Sequence, residues 1–394
     1  MRTDREAMAA RRIYLDHNAS APLKPAARAA MLAALELDAN PSSVHADGRA
    51  ARRLLETARR EVAALVNGDP ANVVFTSGAT EAASWLLTPD WRMGRAPLPI
   101  GHLYVCAADH PATLNGGHFA AENVTRIGVD GDGLIRLDEL ASVLGAHDRT
   151  SGMALVAAHL ANNETGVIQP LAEIGRIAKD AGAILVIDAV QAAGRIPIDI
   201  SEGSADFLIL SSHKIGGPKG AGAVVSSGGV LMPEALHVGG GQEHGHRAGT
   251  ENVAAIAAFG AAAREAGAVL AGVEDVRAVR DRIEEIVVAS VPDAVIFGAG
   301  APRLPNTTFF AIPGIKAETA QIAFDLAGIA LSAGSACSSG KVGPSHVLQA
   351  MGHGAYGGAL RVSIGRETTQ DDIDAFASAL KTLVARRAGN ERAA

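Results

Sequence analysis

The stretch Ser211 to Gly220, SSHKIGGPKG, follows the apolar run DFLIL and places Lys214 just past a strand end. A lone lysine there is ordinarily the first solvated residue after a buried strand. Its company changes the reading. Other strand-like runs end in equally polar residues: TSGATE (Thr76 to Glu81), Asp109 and His110, Asn162 and Asn163, Asp188 and Gln191, then Ser211 and His213. SGATE leads into a helical pattern, so Gly78, Ala79 and Thr80 can offer backbone amides and a hydroxyl to an anion at a helix N-terminus. Asp188 closes ILVIDA, where a bare carboxylate is costly unless a cation or strong donors meet it. Singly, Asp188 reads as a salt bridge or turn cap, and His110, before Pro111, as a hydrogen-bonded loop histidine. Together they match the needs of pyridoxal phosphate. That cofactor requires a lysine for its Schiff base, a carboxylate to keep its ring nitrogen protonated, and amide and hydroxyl donors for its phosphate. The lysine must spend time as a free amine, and desolvation near a cofactor lowers its pKa in that direction. A nucleotide P-loop is not the reading, because GGPKG has the wrong order and spacing for GxxxxGKS or GxxxxGKT.

Elements of the right kind exist to position these groups. Seven apolar runs, NVVFT, HLYVCA, VTRIGV, MALVAAH, AILVIDA, DFLIL and GAVVS, alternate with helical patterns from about residue 70 to 226. Such alternation predicts a parallel or mixed sheet with both faces covered. One β-α-β crossover is explicit: MALVAAHL, then PLAEIGRIAKDAG with Pro170 near its start and Gly182 past its end, then AILVIDAV. In sheets of this kind ligands bind beyond the carboxyl ends of the strands, which is where the polar residues fall. Past Asn252 the texture shifts to a long helical stretch, short strands and a last helix capped by Thr369, with Asp372 near its dipole end. This predicts a second, smaller α+β domain.

Composition bounds the partners. The chain has 394 residues, a net charge of -7 and a pI near 6.0, which argues against a nucleic-acid or anionic-membrane surface. The most apolar later stretch, from Val253, is broken by Arg264 and Glu265 and reads as a packed helix, not a membrane span. Only Cys106 and Cys337 occur, far apart, so no zinc-like spacing or disulfide framework can be built, and no metal site is expected. The N-terminal MRTDREAMAARR lacks the apolar core of a signal peptide. A cytoplasmic location is the simplest expectation.

The segments YLDHNASAP, NPSSVHADGRAARRLLETAR, FTSGATE, ANNETGVIQP, IDAVQAAG, SSHKIGGPKGAGA, GGGQEHGHRAGTENVAAI, SAGSACSS and LRVSIGRETT, in this order, resemble the cysteine desulfurases of the nitrogen-fixation and housekeeping iron-sulfur type, within the class V aminotransferases. HRAGTEN combined with SAGSACSS is the most specific part. The resemblance implies a pyridoxal-phosphate enzyme of fold type I: an α/β large domain with a mainly parallel seven-stranded sheet between helices, spanning 20–262, and a small α+β domain from 1–19 and 263–394. It implies that Lys214 forms the internal aldimine, Asp188 pairs with the pyridine nitrogen, Gln191 bonds the ring hydroxyl and His110 stacks on the ring. Ala79, Thr80, Ser211 and His213 fall to the phosphate, Asn163 to the cofactor or substrate carboxylate, and Thr250 to the phosphate across a homodimer interface.

By the same resemblance Arg361, in LRVSIGR, binds the substrate α-carboxylate, a task suited to a guanidinium fork, and Asn40 helps to seat the substrate. Cys337 lies in SAGSACSSGKVGPS, a Gly- and Ser-rich stretch unlike the apolar surroundings of Cys106, and is the implied nucleophile. The implied reaction converts L-cysteine to L-alanine and leaves a persulfide on Cys337 for an acceptor protein, such as an iron-sulfur scaffold or a thiolation factor. His110 is the implied proton donor or acceptor. A selenocysteine lyase, or another pyridoxal-dependent sulfur enzyme, is the alternative on the same scaffold, and a non-catalytic scaffold protein would not need Lys214, Asp188 and Cys337 together. The chain departs from the pattern at Ser84, where many relatives carry asparagine, and at Ser20 and Ala21, where paired threonines are common.

Overall fold

The computed structural model describes residues 12–334, 344–356 and 358–393. Among these, a nine-stranded sheet runs in the order Leu231–Pro233, Asp90–Met93, Ala96–Cys106, Met153–His159, Ile184–Asp188, Phe207–Ser211, Gly222–Ser226 and Val73–Thr76, with Val124–Ile127 also paired to Ala96–Cys106. The five strands from Val124–Ile127 through Phe207–Ser211 are parallel, and the others pair antiparallel. All seven runs expected from sequence are strands here. The sheet gains two more, Asp90–Met93, which is exposed except at Trp91, and Leu231–Pro233, an edge strand of three residues ending in proline, and neither has the length of apolar run that reveals a strand.

The period-two rule sorts the core. Leu185, Ile187, Leu208 and Leu210 face one apolar layer, while Ile184, Val186, Phe207 and Ile209 face the other. The first layer is closed by the helix Ala46–Leu65, which turns Ala51, Leu55, Ala58 and Val62 inward at three- and four-residue spacing. The helix Val253–Val269 crosses it so closely that a Cβ on Gly260 would sit 2.4 Å from Ala58 Cα. Here small residues, not large ones, make the contact. On the opposite face Trp91 meets Phe207 edge-on, with ring centroids 5.1 Å apart.

Toward the C-terminus, Val295–Ile296, Thr307–Ala311, Leu360–Ser363 and Ser332–Ala333 form a four-stranded antiparallel sheet. Its core joins Phe310, Phe324 and Phe376, the last two stacked at 5.3 Å. The N-terminal strand Ile13–Tyr14 pairs with Ile329–Ala330 in this part of the molecule, and Asp16 bridges to Ser363. The helix Val253–Val269 runs unbroken across the 262/263 division expected from sequence, and its buried residues extend to Ala266. The packing partner therefore changes after that helix, not within it.

Candidate active site

Three neighbouring parallel strands end together, and their last residues His159, Asp188 and Ser211 open onto a cavity of about 580 Å³. Its wall includes Ala79, Thr80, His110, Asn163, Asp188, Gln191, Ser211, His213 and Lys214. Nine of the residues singled out from sequence thus meet in one place, although they span residues 79 to 214.

Lys214 follows the strand Phe207–Ser211 in a single 3-10 turn, and its Nζ donates to the carbonyls of Asn18 at 2.6 Å and Ala19 at 3.1 Å. Asp188 Oδ1 accepts from the Val190 amide at 2.9 Å. Burial pushes its carboxyl up to about 6, with Asp109 adding to the shift, and the Val190 amide and Lys214 opposing it. A carboxylate in that state favours a cation in the cavity. His110 caps the turn Pro111–Leu114 by accepting the Ala112 amide at Nδ1, 3.1 Å away, which leaves Nε2 as its protonated nitrogen. Burial, then Lys214 and His346, bring this imidazole down to about 4. His213 is held at about 4 by burial, Lys214 and Lys219, and its Nδ1 lies 3.2 Å from Ser20 Oγ. Ser20, a departure from the family pattern, thus supports a site residue.

The turn before the helix Ala79–Leu86 is set by Gly222. A Cβ there would lie 2.6 Å from the Gly78 carbonyl carbon and 2.7 Å from its Cα, so only glycine lets this strand pass under the turn. The helix start, with Thr80, then faces the cavity, where its free backbone amides suit an anion. An anion-binding turn, a carboxylate raised by burial, a lysine and room of about 580 Å³ together fit pyridoxal phosphate.

Other residues fall nearby but not on this wall. Arg361 is 1% exposed, and its Nη1 donates to the carbonyl of Asn163 at 3.0 Å while Nη2 donates to Asp16 Oδ1 at 2.7 Å and Ser332 Oγ at 3.1 Å. It reaches the cavity wall through Asn163. Thr250 is exposed and lines a neighbouring cavity of about 190 Å³ that shares Ser77 and Gly220 with the larger one. Asn40 is exposed and caps a turn by accepting the Ser42 amide at 2.8 Å, away from the cavity wall. Cys337 lies outside the described residues.

Sequence reasoning missed Asn18 and His159. Asn18 offers its carbonyl to Lys214 and to Gln191 Nε2, and its side chain bonds Thr307 Oγ1 and Asn306 Nδ2. A role played by a backbone carbonyl leaves no mark in residue type. His159 pairs in register with Asp188 and lines the cavity, a position that MALVAAH presented as an ordinary strand end.

Comparison with known proteins agrees with this geometry. The Aminotransferase class-V family profile matches residues 13–376. The chain is 41% identical to a cysteine desulfurase of Frankia sp. (strain EuIK1), over 95% of this chain and 91% of that one. It is 38% identical to a cysteine desulfurase of Trichormus azollae, over 95% and 93%. The solved structure of a NifS-like protein from Rickettsia africae ESF-5 superposes with a TM-score of 0.84 at 33% identity, covering 95% of this chain and 99% of the other. With the strand-end cavity and these matches over nearly its whole length, the chain belongs to the class-V aminotransferase family, in its cysteine desulfurase branch.

Proposed function

We propose that the protein is a pyridoxal-phosphate-dependent cysteine desulfurase, which converts L-cysteine to L-alanine and passes the sulfur to Cys337 as a persulfide. The observation that carries this reading is the convergence of Lys214, Asp188, His110, Gln191, Ser211, His213 and the turn at Thr80 on one cavity.

Lys214 is the residue that would carry the cofactor, with Asp188 facing its ring nitrogen, His110 its ring, Gln191 its hydroxyl, and Thr80, Ser211 and His213 its phosphate. When bound, the cofactor supplies an electron sink for negative charge at the substrate Cα. Lys214 Nζ takes up the Cα proton and returns one later. Arg361 receives the substrate carboxylate through its planar fork, which Asp16 and Ser332 hold in orientation. His110 Nε2 holds the proton exchanged near the substrate, since its Nδ1 is committed to Ala112. The Cys337 thiolate attacks the substrate sulfur: an S–S bond forms, the substrate Cβ–S bond breaks, and its electron pair stays on carbon, which is protonated to give alanine. We further propose a homodimer, supported by the exposed position of Thr250 beside the cavity rim, and a protein acceptor for the sulfur, such as an iron-sulfur scaffold.

The test is the visible spectrum of the purified protein with pyridoxal phosphate, followed by L-cysteine addition with alanine and sulfide assayed. We expect a yellow protein whose colour is lost in Lys214→Ala, and desulfuration that Cys337→Ala abolishes. A wild type that stays colourless with added cofactor overturns the cofactor reading, and a Cys337→Ala variant that still desulfurates free cysteine overturns the nucleophile.

A further inference from the structure

Three neighbouring strands of the sheet, Ala96–Cys106, Met153–His159 and Ile184–Asp188, end side by side. Just beyond the first lies Asp109, the second ends on His159 and the third on Asp188. Asp109 is 0% exposed, and its Oδ1 accepts both the His159 backbone amide at 2.9 Å and the His159 ring nitrogen Nδ1 at 2.5 Å. Its Oδ2 is buried with no hydrogen-bond partner among the described residues. A carboxyl buried in that way would be unfavourable unless the rest of the site made use of its charge.

The protonation state of His159 follows from Gln169. The Gln169 Oε1 accepts the Ile135 amide at 2.9 Å and its Nε2 donates to the Gly133 carbonyl at 2.8 Å, so the side-chain amide cannot be turned over. That Nε2 lies 3.0 Å from His159 Nε2. Burial disfavours a charged His159 ring, while the Asp109 carboxylate and Cys106 favour one. Gln169 decides between them, because an imidazolium would set two donors against each other. His159 is therefore neutral, accepts at Nε2, and gives its single ring proton to Asp109 from Nδ1. The negative charge stays on Asp109. This arrangement leaves neither His159 nitrogen free for a metal ion, even though Cys106, Asp109 and His159 bring donor atoms within 4.8 Å of one another. The Nδ1 lone pair is occupied by a proton, and Nε2 is engaged by Gln169.

We propose that Asp109, fixed by His159 and Gln169, is a positioning residue that places a permanent negative charge behind Asp188 and thereby holds a proton on the bound cofactor. It acts through Asp188 and touches neither substrate nor cofactor. The inference rests on the pyridoxal phosphate reading above. The other titratable groups of this corner are Cys106, whose thiol burial pushes up, His110, Lys214 and His346, whose Nε2 donates to the Asp109 carbonyl at 2.8 Å. Each is retained in the variants that test the idea.

The experiment is a pH titration of the visible absorbance of the reconstituted enzyme, with cofactor affinity and visible circular dichroism measured alongside. Asp109→Asn removes the charge and keeps the shape, and the titration midpoint should fall by about half a pH unit or more, because a cationic acid loses a nearby anion. His159→Leu removes the donor that fixes Asp109 and should move the midpoint the same way. His159→Asn puts a donor where Nδ1 was and should return it toward wild type, a rescue that a purely structural role would not give. An unchanged midpoint in Asp109→Asn overturns the inference while leaving the cofactor reading intact, as does equal behaviour of the Leu and Asn variants at His159. A wild type without a visible band overturns the cofactor reading itself.

Discussion

Glu164 is 2% exposed, and Ser345 Oγ donates to its Oε2 at 2.6 Å. Burial raises its carboxyl to about 7 from an ordinary 4.5, against the opposing effects of Ser345 and Arg361. The consequence for stability has a definite sign. Between 4.5 and about 7 the folded state holds a proton that the unfolded chain has released, so this residue's contribution is present at low pH and is lost as pH rises through 7. Glu164→Gln removes that dependence. Relative to wild type, the variant should gain stability between pH 5 and pH 8 by up to about 3 kcal/mol, read from denaturant midpoints at the two pH values. A difference that does not grow with pH would show that Glu164 is ionised at no cost. The sequence gives no hint of this, because ANNETG places Glu164 in a turn and its partner Ser345 is distant in the chain. Lys214, Asp188 and His110 are legible as cavity residues because Asp188 ends an apolar run and the other two follow one within four residues.

Apolar runs mark those strands whose burial is two-sided. All four residues of Val73–Thr76 and all five of Phe207–Ser211 are buried, and both were legible. Asp90–Met93 was not, because it is stabilised by pairing with its neighbour and not by its own composition. The same limit applies to the turn at Gly78. Its sequence marked it as an anion site, but its height above the sheet is set by Gly222, which pairs with Thr76 on one side and Ser211 on the other. Gly222→Ala places a methyl group 2.6 Å from the Gly78 backbone, where neither chain has a flexible end to move. We expect pyridoxal phosphate to bind at least about tenfold more weakly, as a displaced turn loses amide contacts to the phosphate. Gly228→Ala, where an added Cβ meets nothing within 4 Å, is the control and should bind as wild type does. Equal affinity in both variants would mean the turn does not depend on this close approach.

At the scale of the whole molecule, the N-terminal segment connects the parts. Ile13–Tyr14 pairs with Ile329–Ala330, Asp16 faces Arg361, Asn18 bonds Asn306 and Thr307, and the Asn18 carbonyl accepts from Lys214 on the central sheet. The segment thus joins the C-terminal sheet to the cavity, and Arg361 is held at that junction. Removing the Asp16 carboxylate leaves a buried guanidinium without the anion it faces at 2.7 Å, which costs about 3 kcal/mol when such a pair is broken from one side. Asp16→Asn should therefore lower thermal stability and, on the proposed role of Arg361 in binding the substrate carboxylate, raise KM for L-cysteine more than it lowers kcat. Arg361→Lys alone should show the same KM effect, because an ammonium cannot reproduce contacts to Asp16, Ser332 and the Asn163 carbonyl together. If the two residues act as one unit, the double variant should be less impaired than the sum of the singles, with a coupling of about 1–3 kcal/mol. Strict additivity would show instead that Asp16 serves only to fasten the N-terminal segment, and that Arg361 is oriented by Ser332 and Asn163 alone.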